Sequence, residues 1–284
     1  MASSEQAPGP QVGMLWFFIV TTLYIPVKYM GFSVEKGGTS SAYFTAYVLL
    51  VIVGEYVINL MATSAMCGAP QWGTTVAVTV LPWALIFGSL NLLLMIFPGW
   101  LSPFSNTIGY AVAKALGAEG VLTDMLQQDG NSPLDSDTQR TLARIFSDKA
   151  LMINEIPGSI DGFVGFWKRL SPLMNREAGP SGSSKEVIGM LKGAPPNADG
   201  TPTQKTLARR LFDLVRIKNL VSEYVWFLLT GGLVTSVAYN YIVSSSCELS
   251  AEDMERRHNE YMEKEAAAAK KKAAEPDRVY TSTD

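Results

Sequence analysis

Four apolar runs, Val12–Met30, Ala42–Met61, Val76–Phe97 and Tyr224–Val243, interrupt an otherwise polar chain of 284 residues. Each is about 20 residues long, enough at 1.5 Å per helical residue to cross a hydrocarbon core of roughly 30 Å. A helix keeps its backbone hydrogen bonds within one segment, so the pattern predicts four transmembrane helices. The first three follow one another closely, and about 120 mostly hydrophilic residues separate them from the fourth. The fold class expected is an all-α membrane protein. It has three spans in residues 1–100, an extramembrane helical domain in 101–201, a long helix with the fourth span in 202–247, and a charged helical tail in 248–284.

The polar connector carries its own helical periodicity. Asn106–Gly117, Gly120–Gln128, Asp137–Glu155, Ser159–Leu170 and Ser184–Leu191 read as short helices. Asp129–Pro133, Gly179–Ser183 and Ala194–Gly200 read as loops. Thr201-Pro-Thr-Gln204 has the makings of a helix start, and no breaker follows until the end of the fourth run. One helix of more than 40 residues is therefore expected to run from the polar region into the membrane. The connector also repeats: Thr138-Gln-Arg-Thr-Leu-Ala-Arg144 recurs 65 positions later as Thr203-Gln-Lys-Thr-Leu-Ala-Arg209, and Met125-Leu126 recurs at the same offset as Met190-Leu191. Leu101–Asn106 resembles Leu170–Asn175 at an offset of 69. Two copies of one helix–loop–helix unit, neither able to bury its apolar face alone, account for this.

Charge refines the topology. Four crossings put both termini on one side. Residues 100–221 hold 14 Lys and Arg, and Lys28 and Lys36 flank the first loop, whereas the second loop has none. The positive-inside rule favours a cytoplasmic connector, with the basic tail (Arg256, Arg257, Lys264) competing. Met1–Pro10 has no Lys or Arg, and no small-residue cleavage site follows the first run, so that run is expected to stay as a span rather than act as a signal peptide. Trp16, Trp72, Trp100 and Trp226 fall near span ends as interface anchors, while Trp83 sits beside Pro82, where a kink is expected.

Glu55 is the one acid well inside a span, with Asn59 one turn later on the same face. Counting the helical rise from the shared membrane face places Glu55 level with Thr235 and Ser236, and Asn59 near Tyr239 and Asn240. Polar packing between spans two and four is the expected role, aided by Gly231 and Gly232; a proton or ion pathway is the alternative. Cys67 and Cys247 both fall just outside the bilayer on one face, as two free thiols or as a disulfide, which requires an oxidising environment and Cα atoms within about 7 Å.

Reactive constellations are not apparent. The chain has one His, His258, in the tail, and no CxxC pair, P-loop or dinucleotide-binding motif. Asp124, Asp129, Asp135 and Asp137 lie where helix capping accounts for them. No catalytic, cofactor-binding or metal-binding residues are expected, and no enzyme activity. The tail, Glu252–Glu275, has a thin apolar stripe (Met254, His258, Tyr261, Met262, Ala266, Ala269) and reads as a solvated helix stopped by Pro276; the alternatives are that the stripe docks on a partner helix or that Lys270-Lys-Lys272 approaches anionic lipid or nucleic acid.

The stretch Pro98-Gly-Trp-Leu-Ser-Pro-Phe-Ser-Asn-Thr-Ile-Gly-Tyr110, after three hydrophobic spans, resembles a segment of multi-pass membrane proteins of nucleocytoplasmic large DNA viruses of the algal-virus type. The likeness covers that segment and the span arrangement, about a third of the chain. It marks Ser102, Pro103, Phe104, Ser105, Asn106, Gly109 and Tyr110 as shared residues and brings no catalytic group with it. It implies a minor capsid component of the virion internal membrane, resident in host endomembranes during assembly. Its partners would be membrane lipid and other capsid or membrane proteins, with homo-oligomerisation open and nucleic acid disfavoured by the net charge of −3. A structural membrane protein is thus the leading expectation. A small oligomeric channel or transporter using Glu55 is the alternative, and an assembly factor absent from the final particle is a third reading.

Overall fold

A computed structural model describes residues 9–126, 136–170, 184–192, 204–244, 247 and 251–274. It is helical almost throughout, with four helices long and apolar enough to cross a membrane: Gln11–Met30, Ser41–Cys67, Trp72–Ile96 and Thr206–Ser244. Between 22% and 33% of each span's most apolar window is buried inside the protein, and side chains such as Leu15, Leu49, Val53, Leu85, Leu229 and Leu233 point outward. Apolar outer surface of that extent is stable only against hydrocarbon, so these helices form an integral membrane bundle.

The first span is α1 (Pro10–Met30), and a two-stranded antiparallel hairpin follows: β1 (Phe32–Ser33) pairs β2 (Gly38–Thr39), Phe32 opposite Thr39. The hairpin was not expected from sequence; Gly37, at φ 70°, supplies the left-handed residue its tight turn needs. The second span, α2 (Ser41–Cys67), extends beyond the apolar run at both ends. Ser40 accepts from the Ala42 amide at its start, and Gly68 closes it in a left-handed conformation. The third span is α3 (Trp72–Pro82), a π-helical turn at Trp83–Gly88, and α4 (Ser89–Ile96). The expected disturbance at Pro82 takes the form of that π turn, since proline removes an amide donor and crowds the preceding turn.

A 3₁₀ turn (Pro98–Leu101) leads to α5 (Ser102–Phe104), a second π turn (Ser105–Gly109) and α6 (Tyr110–Ala115). Then come α7 (Ala118–Met125), α8 (Ser136–Ser147), α9 (Lys149–Glu155), α10 (Ile160–Leu170) and α11 (Ser184–Lys192). The single helix expected over Asp137–Glu155 is two. Asp148 leaves helical geometry and its carboxylate accepts from the Ala150 and Leu151 amides, because a short acid gains more as a cap than in a helix interior. The expected helix at 106–117 starts earlier, at Ser102, and the one at 120–128 lies at Ala118–Met125, after left-handed Gly117.

The last two elements are α12 (Gln204–Ser244), of 41 residues, and α13 (Ala251–Ala274). The expected loops at 129–133, 179–183 and 194–200, the cap at Thr201, Pro276, and repeat residues Ser171–Asn175 and Thr203 lie outside the described residues.

α12 is the spine of the molecule. At 1.5 Å per residue it is about 60 Å long, twice a bilayer core. Leu211, Phe212 and Val215 of its charged first half form the core of the extramembrane domain with Leu122, Met125, Phe163, Trp167 and Met190. Both Met-Leu pairs of the repeat, Met125-Leu126 and Met190-Leu191, are buried in that core. Phe227 and Val234 of its apolar second half pack with Phe17, Tyr24, Tyr47, Trp83 and Phe87 in the core of the bundle. Gly231 admits the ring of Phe17, atoms of which lie 2.0 Å from where a Cβ would stand. The hairpin sits at the domain end of the bundle: Phe32 is 5.9 Å from the Phe212 ring, and Glu35 pairs with Lys192 at 3.1 Å.

Candidate functional site

Two polar constellations stand out. The first is the intramembrane seam. Asn59 and Thr63, one turn apart on α2, face Thr79 and Thr75, one turn apart on α3. Asn59 Nδ2 donates to Thr79 Oγ1 at 2.9 Å, and the Thr63 and Thr75 hydroxyls bond at 3.0 Å. One turn forward on α2 meets one turn back on α3, as antiparallel neighbours require. All four are buried.

Glu55 is 1% exposed, and its carboxylate lies against Gly13 of α1: a Cβ there would stand 2.8 Å from Oε2. Its Oε1 has no hydrogen-bond partner among the described residues, and neither has the nearby Trp16 Nε1, whose indole lies over Gly54. The expected polar packing of spans two and four through these residues is therefore corrected. Glu55 faces span one, and Asn59 bonds span three. Thr235 and Ser236 both return their hydroxyls to the Gly232 carbonyl, at 3.1 and 2.7 Å, and Asn240 is exposed. Equal depth along two helices does not settle which faces meet, and the aromatic core around Phe17 and Phe227 occupies α12's inner face.

The second constellation lies where the extramembrane domain meets the bundle, beneath residues 98–110. Ser105 and Gly109, four apart, form its buried face, while Ser102, Pro103 and Asn106 are exposed. Gly109 lets the backbone press on α12: a Cβ would stand 2.4 Å from the Lys218 carbonyl oxygen. The Ser105 hydroxyl donates to Asn219 Oδ1 at 3.0 Å, and Phe104 meets Trp226 edge-on. Tyr110 donates its hydroxyl to Glu119. That bond, with Lys114 at 3.1 Å, holds the Glu119 carboxyl below its ordinary range, while burial pushes the Tyr110 phenol up to about 12.

Lys218 lies on the other flank, 1% exposed, with Nζ donating to the carbonyls of Ile153 at 3.0 Å and Asn154 at 3.4 Å. These are carbonyls at the end of α9, where a helix lacks internal donors and a cation is favoured. Burial nevertheless pushes the ammonium down to about 8, with Glu155 opposing. From sequence alone Lys218 reads as a solvated lysine in a charged helix. Its position seven residues after Leu211, on the stripe with Val215, is the signal that would have found it.

At the opposite end of the bundle Cys67 and Cys247 are joined as a disulfide, with Cα atoms 5.4 Å apart. Of the two readings of these cysteines, the structure has the bonded one. His258 is exposed on α13, and no group of three or more His, Cys, Asp or Glu able to hold a metal occurs among the described residues.

No protein-family model, curated protein or solved structure matches this chain.

Proposed function

We propose that the protein is a structural membrane component that ties a bilayer to an adjoining protein layer through its extramembrane helical domain. The observation that carries this reading is the continuity of α12, one helix that is core to both the domain and the bundle. A load on the domain passes into the membrane along a single rod, without a hinge loop. The disulfide adds a covalent tie between α2 and the start of the tail at the far face. Beyond it α13 presents Met254, Tyr261 and Met262 as exposed apolar side chains, a second surface for a partner. The finer version, a minor capsid component of a viral internal membrane, rests on the likeness of segment 98–110 alone.

Cross-linking of native membranes or particles tests it. Lysines of the domain, such as Lys168 and Lys185, should link to other structural proteins in stoichiometric amounts. Links confined to lipid-embedded or soluble metabolic proteins would refute the reading, and absence from particles would refute its viral version.

A second reading, a channel or transporter, draws on the unpartnered carboxylate oxygen of buried Glu55. Reconstituted vesicles separate the two. Ion flux that Glu55→Gln abolishes favours transport, and no flux favours the structural role.

A further inference from the structure

A cavity of about 380 Å³ opens in the bundle at the end facing the extramembrane domain. α1 and α12 form its floor with Tyr24 and Phe227; the first turn of α2 and the last turns of α4 form its walls with Ser41, Phe44, Asn91 and Leu94. Spans two and three are fastened to each other at the far end by Asn59–Thr79 and Thr63–Thr75, but here they stand on opposite sides of the space. The π turn after Pro82 lies between the fastened and the parted ends. Met95, in the last turn of α4, also lines the cavity and is 81% exposed, so the cavity is open to the surroundings there.

Its chemistry is graded. The membrane-surface end carries the ion pair of Lys28 and Glu223, together with the hydroxyls of Ser40 and Ser41. The inner end is aromatic and aliphatic except for Asn91, whose amide donates to the Phe87 carbonyl of its own span at 2.8 Å. Lys28 lies in the last turn of α1, and Ser41 opens α2, so the polar end sits at headgroup depth. A ligand that fits has a charged head, an apolar tail and lateral access from the membrane. The head must suit a cation and an anion held side by side.

We propose that this cavity binds a zwitterionic phospholipid with a primary amine, of the phosphatidylethanolamine class. The phosphate lies by the Lys28 ammonium and the Ser40 and Ser41 hydroxyls, and the lipid ammonium donates to the Glu223 carboxylate. One acyl chain enters along Phe44, Leu94 and Phe227. Phosphatidylcholine has the same charges but no N–H to donate, so it loses the hydrogen bond to Glu223. A purely anionic lipid adds a second negative charge beside the one cation, Lys28, that Glu223 already shares, and brings no ammonium of its own.

The test is native mass spectrometry of the full-length protein in mild detergent, titrated separately with phosphatidylethanolamine, phosphatidylcholine and phosphatidylglycerol. The expected result is a single adduct with phosphatidylethanolamine, retained about tenfold better than phosphatidylcholine, as one charge-assisted hydrogen bond would give. Glu223→Gln should bring the two lipids to within about threefold, by weakening that bond. Ser41→Trp, at an exposed position that leaves the ion pair in place, should block the adduct without changing the thermal transition. Equal retention of phosphatidylethanolamine and phosphatidylcholine by the unmodified protein would overturn the proposal. So would a preference that survives both substitutions in folded protein.

Discussion

Lys218→Met is the most informative single change, because two opposing terms act at that side chain and pH separates them. Folded, the ammonium is buried and pushed down to about 8; unfolded, a lysine keeps its proton to about 10.4. Between those values the unfolded chain binds more protons, so this residue makes stability rise with pH across that window. Below it the fold carries the whole cost of a charge in a dry site, which at 1.36 kcal/mol per pH unit is about 3 kcal/mol. Methionine removes that cost. It also removes the bonds to the Ile153 and Asn154 carbonyls, at about 1–3 kcal/mol for each one left unsatisfied. Near pH 7 the two terms roughly cancel, and the variant should match the parent within about 1 kcal/mol. By pH 10.5 only the lost bonds remain, so the variant should have become relatively less stable by about 3 kcal/mol. Urea unfolding in a nonionic detergent, followed by circular dichroism at several pH values, reads this difference. Other titrating groups, Tyr110 among them, are common to both proteins and cancel. Parallel pH profiles, or a parent that loses stability relative to the variant as pH rises, would refute the reasoning.

The seam makes a paired prediction: Asn59→Val should weaken bundle stability in bicelles by about 0.6–1.7 kcal/mol, while Thr235→Val, whose hydroxyl bonds its own helix, should stay within a few tenths. Equal effects would mean that the hydrogen bond to Thr79 is not the contact that matters. Gly231→Leu should drive a side chain into the Phe17 ring and cost about 1–3 kcal/mol or more, whereas Gly232→Ala, with nothing within 4 Å of its Cβ, should be tolerated. The lowered thermal transition of the first should be missing from the second. Protease cleavage inside the connector should leave fragments joined by Cys67–Cys247 on a gel without reductant and separate with dithiothreitol. Separation without reductant would show that the cysteines are not bonded in the protein as made.

By itself the sequence determined the solvent each segment needs. Runs of 20 apolar residues admit one backbone state in lipid, and α12 was legible end to end because no breaker interrupts Gln204–Ser244. Helical periodicity marked most short helices too, although Asp148 shows a cap hidden inside a helical pattern. Tertiary structure decided which faces meet. Glu55 turns to Gly13 rather than Thr235, and Asn59 to Thr79 rather than Asn240, because side-chain volume and close approach at glycines, not depth, choose a helix's neighbours. The same holds for Lys218 and for the parted walls beside Lys28 and Glu223. Both join residues far apart in the chain, and one-dimensional periodicity carries no record of where the bundle's third dimension closes.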